Sequence, residues 1–413
     1  MTAWNPVWQL SIDGGTFTTV TLANLTITSG RTDIYQQPIA GYCTVEIINT
    51  DQSAVNIEIN DSFALQIKDS TNTFRPIFGG YVTDINQSVR TSGSNAIVQS
   101  FSITALGALS KLPKVLTEGV LTKDFDGDQI YSILSALLFN QWSEVPAATT
   151  WATYNATETW ANAQNSGLGE IDQPGDYELT SRASDVTDVY SLVAALATSG
   201  AGYIFEDSAG RIGYSDSTHR GEYLATNGYT ELSGHHALSR GIATSRRIGD
   251  IRNKVTITYK NGDQHTAEDT ASQSLYGVQA QNITTSIENG VDATSQANFY
   301  LALRAYPQSL FKSITFELTN PEIDNADRDA LLQVFMGLPI DVTDLPANMT
   351  GGRFQGFVEG WTFSAGFNKL KITLNVSPIA FSLQAFKWLN VPATENWTTI
   401  NPTLDWTNAT IVA

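Results

Sequence analysis

The chain has a single cysteine, Cys43, among 413 residues, which excludes an intrachain disulfide and any zinc cluster built from cysteines. Its setting, Gly41-Tyr42-Cys43-Thr44-Val45, alternates as a strand does, so Cys43 reads as a small buried apolar residue. Histidine is scarce too: only His219, His235, His236 and His265 are present, and neither member of the adjacent pair His235 and His236 has a carboxylate at the i+4 spacing of a zinc-binding helix. The adjacent His235 and His236 cannot face one ligand from a regular strand or helix. No window approaches about 18 consecutive apolar residues, so no transmembrane helix is expected. The opening stretch MTAWNPVWQL lacks the basic and apolar regions of a secretory signal, which leads us to expect synthesis and folding in a cytoplasm.

Charge is sparse and one-sided. Charged residues make up 15% of the chain, against about 25% in an average soluble domain. Threonine, serine, asparagine and glycine take their place, a composition suited to pleated, half-buried β surfaces. The net charge of −18 argues against a general nucleic-acid binder, which draws affinity from lysine and arginine on phosphates. It fits a surface past which DNA slides without sticking, although on charge alone simple solubility is the preferred reading.

The residues of familiar chemistries are also missing. There is no Walker A or dinucleotide fingerprint and no Gly-x-Ser-x-Gly elbow. The run Asp124 to Ile130 mimics the start of a calcium loop, but helical residues take over at once, so it reads as a helix start. Asp324 with Asp327 and Asp341 with Asp344 are the acid pairs that a glycosidase reading would use. Acids at a helix N-terminus are ordinarily capping groups, and that reading is preferred. No catalytic, cofactor-binding or metal-binding residue is assigned, and the chain reads as a non-enzyme that needs no cofactor.

What is present is a long-range repeat. From Trp142 to Ala163 and from Trp388 to Ala409 the chain shares 11 of 22 aligned residues at an offset of 246. In each copy the tryptophans stand nine residues apart: Trp142, Trp151 and Trp160, then Trp388, Trp397 and Trp406. The offset is too long for a solenoid, whose period is roughly 20 to 50 residues. It marks two related halves. Two uses of the tryptophans remain open: an extended arm laid across a neighbouring barrel, which is preferred, or a sugar-stacking face.

The order of features supports the duplication. Trp8, Leu10 and Ile12 alternate with polar residues and lead through Asp13-Gly14-Gly15 into Val20 and Leu22. Further strands follow at Cys43 to Ile47, Phe63 to Ile67, Phe78 to Val82 and Val98 to Ala105, the pattern of a small antiparallel barrel or sandwich. Helical spacing appears over 128–140 and 186–199, the latter stopped by Gly200 and followed by a hairpin around Asp207 to Gly210. A strand over 254–259, helices over 292–306 and 325–336, and strands through KLKITLNV complete the second half. FGGYVTDI at 78–85 resembles FQGFVEGW at 354–361, and each precedes an alternating strand and then a tryptophan repeat. The expected fold is mainly β with α+β insertions. Five segments are expected: a first tube-like barrel (1–115), a helix with the first repeat and a loop (116–179), a small α+β unit (180–245), a second tube-like β domain with helices (246–386) and a closing arm (387–413).

Three stretches carry a family resemblance: TSGRTDIYQQPIAGYCTVEIINTD feeding FGGYVTDI, SLVAALATSGAGYIFEDSAGRIGY, and DVTDLPANMTGGRFQGFVEGW with KLKITLNVSP and the tryptophan-spaced tail. Together they are similar to tailed-phage hub proteins, the trimeric components of siphophage tail tips and contractile baseplates, and the last resembles siphophage minor tail proteins. The resemblance covers nearly the whole chain. It implies a virion component made in the host bacterial cytoplasm, a homotrimer whose paired barrels form a pseudo-hexameric ring closing the tail tube. Its implied neighbours are the distal tail protein, the C-terminus of the tape-measure protein and a fibre or receptor-binding protein, with DNA passing unbound and no membrane insertion. Two alternatives stay open, a carbohydrate-binding adhesin with weak glycan hydrolase activity and a hexameric distal tail protein.

Overall fold

In the computed structural model the described residues are 4–50, 55–93, 96–141, 168–245, 247–307 and 310–379. Both tryptophan repeats, with all six residues Trp142, Trp151, Trp160, Trp388, Trp397 and Trp406, lie outside them.

Six antiparallel strands open the chain: β1 (Trp8–Ile12), β2 (Thr18–Gly30), β3 (Ile39–Asn49), β4 (Ser62–Lys68), β5 (Phe74–Gly93) and β6 (Ala96–Leu106). They pair in the order β1-β4-β5-β6-β3-β2, and β1 pairs again with the start of β2, Trp8 beside Val20, so the sheet closes into a barrel. Period-two alternation builds it: Cys43, Val45 and Ile47 of β3 and Phe63, Leu65 and Ile67 of β4 turn inward, while Thr44, Glu46, Gln66 and Lys68 stay partly solvated. Each fully buried side chain of this kind contributes about 1.5 to 3 kcal/mol.

The middle of the chain is a mixed unit. Two-residue ladders β7 (Leu116–Thr117) and β8 (Asp124–Phe125) precede helix α1 (Asp126–Gln141). Then come β9 (Leu168–Ile171), β10 (Glu178–Leu179), β11 (Thr187–Asp188), α2 (Val189–Ser199), the hairpin β12 (Tyr203–Glu206) and β13 (Ile212–Ser215), and α3 (His219–Asn227). Helix α2 starts where Asp188 accepts a hydrogen bond from the Ser191 amide at 2.8 Å, three residues later than its periodicity suggests. Ile130 and Leu134 of α1 face Leu192, Val193 and Leu196 of α2.

Strands β14 (Thr230–Ser233) and β15 (Ala237–Ser245) follow, and then a three-stranded sheet: β16 (Lys254–Tyr259), β17 (Asp263–Glu268), the short α4 (Thr270–Tyr276) and β18 (Ala280–Thr284). After α5 (Gly290–Arg304) the chain makes β19 (Leu310–Glu317), α6 (Asn325–Leu332), β20 (Pro339–Thr343), β21 (Phe354–Gly366) and β22 (Lys369–Pro378). Residues 254–305, which sequence order assigns to the second barrel, pack elsewhere. Val255, Ile257, Ile283, Ala293 and Ala297 share one core with Leu109, Leu134, Val193 and Tyr214. The α+β unit is therefore assembled from two separated segments of chain, a partition that no local periodicity records.

The second barrel repeats the first. Its strands pair in the order β14-β20-β21-β22-β19-β15, and each falls in the place of β1, β4, β5, β6, β3 and β2. FGGYVTDI and FQGFVEGW accordingly sit on corresponding strands, β5 and β21. The copies differ at one place. Strand β14 runs parallel to β20 where β1 runs antiparallel to β4, and among the described residues no ladder joins β14 to β15. The two barrels are welded through β2 and β21, antiparallel with Ile27 beside Phe363, into one twelve-stranded sheet with a continuous core.

Candidate functional site

The seam between the barrels is where charge concentrates. Gly30 and Gly360 lie opposite each other across β2 and β21. Gly30 has φ of +85°, and a Cβ there would stand 2.4 Å from the Glu359 carbonyl oxygen, so only glycine admits this approach. The next amide, that of Arg31, donates to the same carbonyl at 2.8 Å.

Around this pinch three elements converge on the Glu359 carboxylate. Arg31 Nε donates to Oε2 at 2.7 Å, and Arg220 of α3 donates from Nη1 to Oε1 at 2.7 Å and from Nη2 to Oε2 at 3.0 Å. Ser377 of β22 adds its hydroxyl to Oε1 at 2.6 Å. The Tyr203 ring lies under both guanidiniums, 5.2 Å from Arg31 and 4.5 Å from Arg220. Burial by itself would raise the Glu359 pKa, but Arg220 and Arg31 overcome it and hold the carboxyl well below the usual range. A cavity of about 260 Å³ adjoins this cluster, bounded by Arg31, Tyr35, Gln37, Tyr203, Ser217 and Arg220. The buried Tyr35 hydroxyl has no hydrogen-bond partner there.

A second junction joins the first barrel to the α+β unit with different means. Glu206, at the end of β12, is enclosed and accepts hydrogen bonds from the amides of Gly41 and Leu109, the latter at 2.9 Å. Gly41 and Gly107 make the room, since a Cβ on either would sit within 2.3 Å of its carboxylate oxygens. Among the described residues no guanidinium pairs with it, and burial pushes Glu206 up to about 7. Asp126, first residue of α1, behaves alike: burial raises it to about 7 although it accepts from the Tyr177 amide at 2.8 Å and from the Tyr214 hydroxyl. The sequence treats Asp126 as part of an ordinary helix start; the fold makes it a buried anchor for β13.

The acid pairs named for a glycosidase have structural partners. Asp324 caps α6 by accepting from the Asp327 amide at 2.8 Å, and Asp327 receives the Ser233 amide at 3.1 Å and faces His236 at 2.6 Å. Asp341 is clamped by Arg353, and Asp344 takes the Ser233 hydroxyl at 2.8 Å. His235 and His236 lie on a single 3₁₀ turn, Gly234–His236, and only His236 meets Asp327. Sequence reasoning missed Arg31, Arg220 and Glu359. Arg31 and Glu359 are 328 residues apart, and the only local sign is a charged residue beside a glycine in each strand.

The architecture defines a class, a duplicated β-barrel scaffold carrying a discontinuous α+β insertion. Solved structures then give it a setting. The chain shares its fold with a tail protein from Neisseria meningitidis at a TM-score of 0.56 and 13% identity, covering 92% of this chain and 98% of that one. It likewise matches the 43 kDa tail protein of prophage MuSo2 from Shewanella oneidensis at a TM-score of 0.53 and 12% identity, over 92% of this chain and all of that one. No protein-family model matches the chain, and no curated protein matches it by sequence.

Proposed function

We propose that the protein is a structural component of a phage tail tip or baseplate hub. The observation that carries this reading is the repeated strand order, two six-stranded units of the same order joined through β2 and β21 in one chain. Three such chains supply six similar barrels, which suits a ring that continues a sixfold tube with threefold subunits. The α+β unit braces the ring, and the net charge of −18 lines a passage that does not hold DNA phosphates. On this reading the protein is not an enzyme. Its partners are two further copies of itself, the distal tail protein, the C-terminus of the tape-measure protein and a fibre or receptor-binding protein. The tryptophan repeats serve as arms across neighbouring barrels.

Native mass measurement with two-dimensional class averages tests the proposal. A threefold particle with six similar lobes is the expected result. A monomer that retains oligosaccharide would instead favour a carbohydrate-binding adhesin. Replacing Trp397 and Trp406 with alanine should lower the trimer fraction; loss of glycan binding with assembly intact would assign those tryptophans to sugar.

A further inference from the structure

The face of the α+β sheet turned away from its core carries a second constellation. Strands β9 and β13 run parallel with Ile171 beside Tyr214, and the Asp172 amide donates to the Tyr214 carbonyl at 3.1 Å. Ile171, Ile212 and Tyr214 point into the core. Alternation therefore sends Glu170, Asp172 and Ser215 to the opposite face. Helix α3 begins there with His219, whose Nδ1 stands 2.9 Å from Oδ2 of Asp172. One donor atom each from Glu170, Asp172 and His219 falls within 4.8 Å of the others. All three are shielded: Glu170 is 6% exposed, and the side chains of Asp172 and His219 are 13% and 11% exposed.

We propose that Glu170, Asp172 and His219 form a binding site for a divalent transition-metal ion that fastens α3 to the β9–β13 sheet. Three features lead there. Ligand atoms about 2.0 to 2.2 Å from one small ion lie about 3 Å apart at right angles, the spacing already present between His219 and Asp172. The neighbourhood holds more negative charge than one imidazole neutralises. Asp216 donates its amide to Asp172, and Ser217 next to it donates its hydroxyl to Asp176. Asp172, Asp176 and Asp216 have no ion pair with a lysine or arginine among the described residues. The third feature is independent of the acids. Ser215, one step beyond the Tyr214–Ile171 pair on the face of Asp172, is fully buried, and its hydroxyl has no hydrogen-bond partner. A water completing the coordination sphere of an ion supplies that partner.

One imidazole with two carboxylates selects manganese, cobalt or zinc over magnesium and calcium, which prefer all-oxygen shells. The ion stabilises the helix that delivers Arg220 to Glu359, so it acts on the barrel seam from a distance. The other histidine–acid group, His236 with Asp324 and Asp327, is committed to capping α6 and to the Ser233 amide.

The test uses the whole protein stripped with a chelator. Zn²⁺ and Mn²⁺ are titrated by calorimetry and thermal unfolding, with Mg²⁺ and Ca²⁺ in parallel. One saturable site is expected, tighter for Zn²⁺ than Mn²⁺, with Tm raised by several degrees at about 100 times Kd. Affinity should fall at least tenfold in His219→Gln and in Glu170→Gln and persist in His236→Gln. Absence of saturable binding, equal affinity in His219→Gln, or loss confined to His236→Gln overturns the proposal. If His219→Gln fails to fold, Glu170→Gln and the visible spectrum of the Co²⁺-loaded native protein decide, and a spectrum without a nitrogen ligand also overturns it.

Discussion

Glu359 and Glu206 are both buried carboxylates at junctions, and the chain treats them in opposite ways. At the barrel seam Glu359 is kept ionised by Arg31 and Arg220, each within 2.7 Å. Where the first barrel meets the α+β unit, Glu206 accepts from the Gly41 and Leu109 amides, with no ion pair among the described residues, and burial lifts it to about 7. The difference follows from what each junction must join. The seam is approached by three elements from distant parts of the chain, and charge with fixed geometry selects one arrangement of them. The other is a close contact of a hairpin against Gly41 in β3 and Gly107 just after β6, where backbone amides alone meet the carboxyl.

The largest effect should come from removing the ionised member. Glu359→Gln leaves two guanidiniums buried beside a neutral amide, and a loss of about 3 to 5 kcal/mol is expected in urea denaturation. A triple replacement of Arg31, Arg220 and Glu359 with methionine should recover much of it; failure to recover would mean that the cluster does more than satisfy itself. Next, Gly30→Ala forces a Cβ against the Glu359 carbonyl at positive φ and should cost about 2 kcal/mol. No measurable loss there would show that the seam can part without penalty.

The third prediction separates the two carboxylates by pH. Glu206 has a folded pKa above its unfolded value of 4.5, so its contribution is complete below about 4.5 and lost as pH rises to about 7. Glu359 is depressed, so its contribution is present above 4.5 and lost on acidification. Glu206→Gln should therefore flatten the decline between pH 4.5 and 7, by at most about 1.4 kcal/mol per pH unit, and leave the acid limb untouched. Asp126, raised in the same direction, contributes to the slope that remains. A variant whose acid limb moves instead would dissolve the distinction. The smallest effect belongs to a site that serves neither junction: Asp188→Ala removes the cap of α2 and should cost about 1 kcal/mol, leaving the decline between pH 4.5 and 7 unchanged and making the acid limb slightly shallower, because the Ser191 amide holds the Asp188 carboxyl below its usual range.

Much of the fold was legible locally. The strand over Lys254–Tyr259 and the first barrel follow from alternation, and α5 and α6 follow from helical spacing with ends shifted by a few residues. Helix α3 was not, because HRGEYLATN carries too few apolar residues to mark a face. The seam was invisible for another reason. Arg31, Arg220 and Glu359 are each unremarkable in their own segments, and only the pairing of β2 with β21 and the docking of α3 bring them together.

By itself the sequence determined the alternation of its strands, the duplication and the scarcity of cysteine and charge, since each is a property of composition or of neighbours along the chain. Tertiary structure alone decided that both copies share one strand order, that residues 254–305 leave the second barrel for another core, and that a single carboxylate sits between two arginines. Those outcomes depend on contacts across hundreds of residues, where the energy lies in desolvation and geometry that no short window contains.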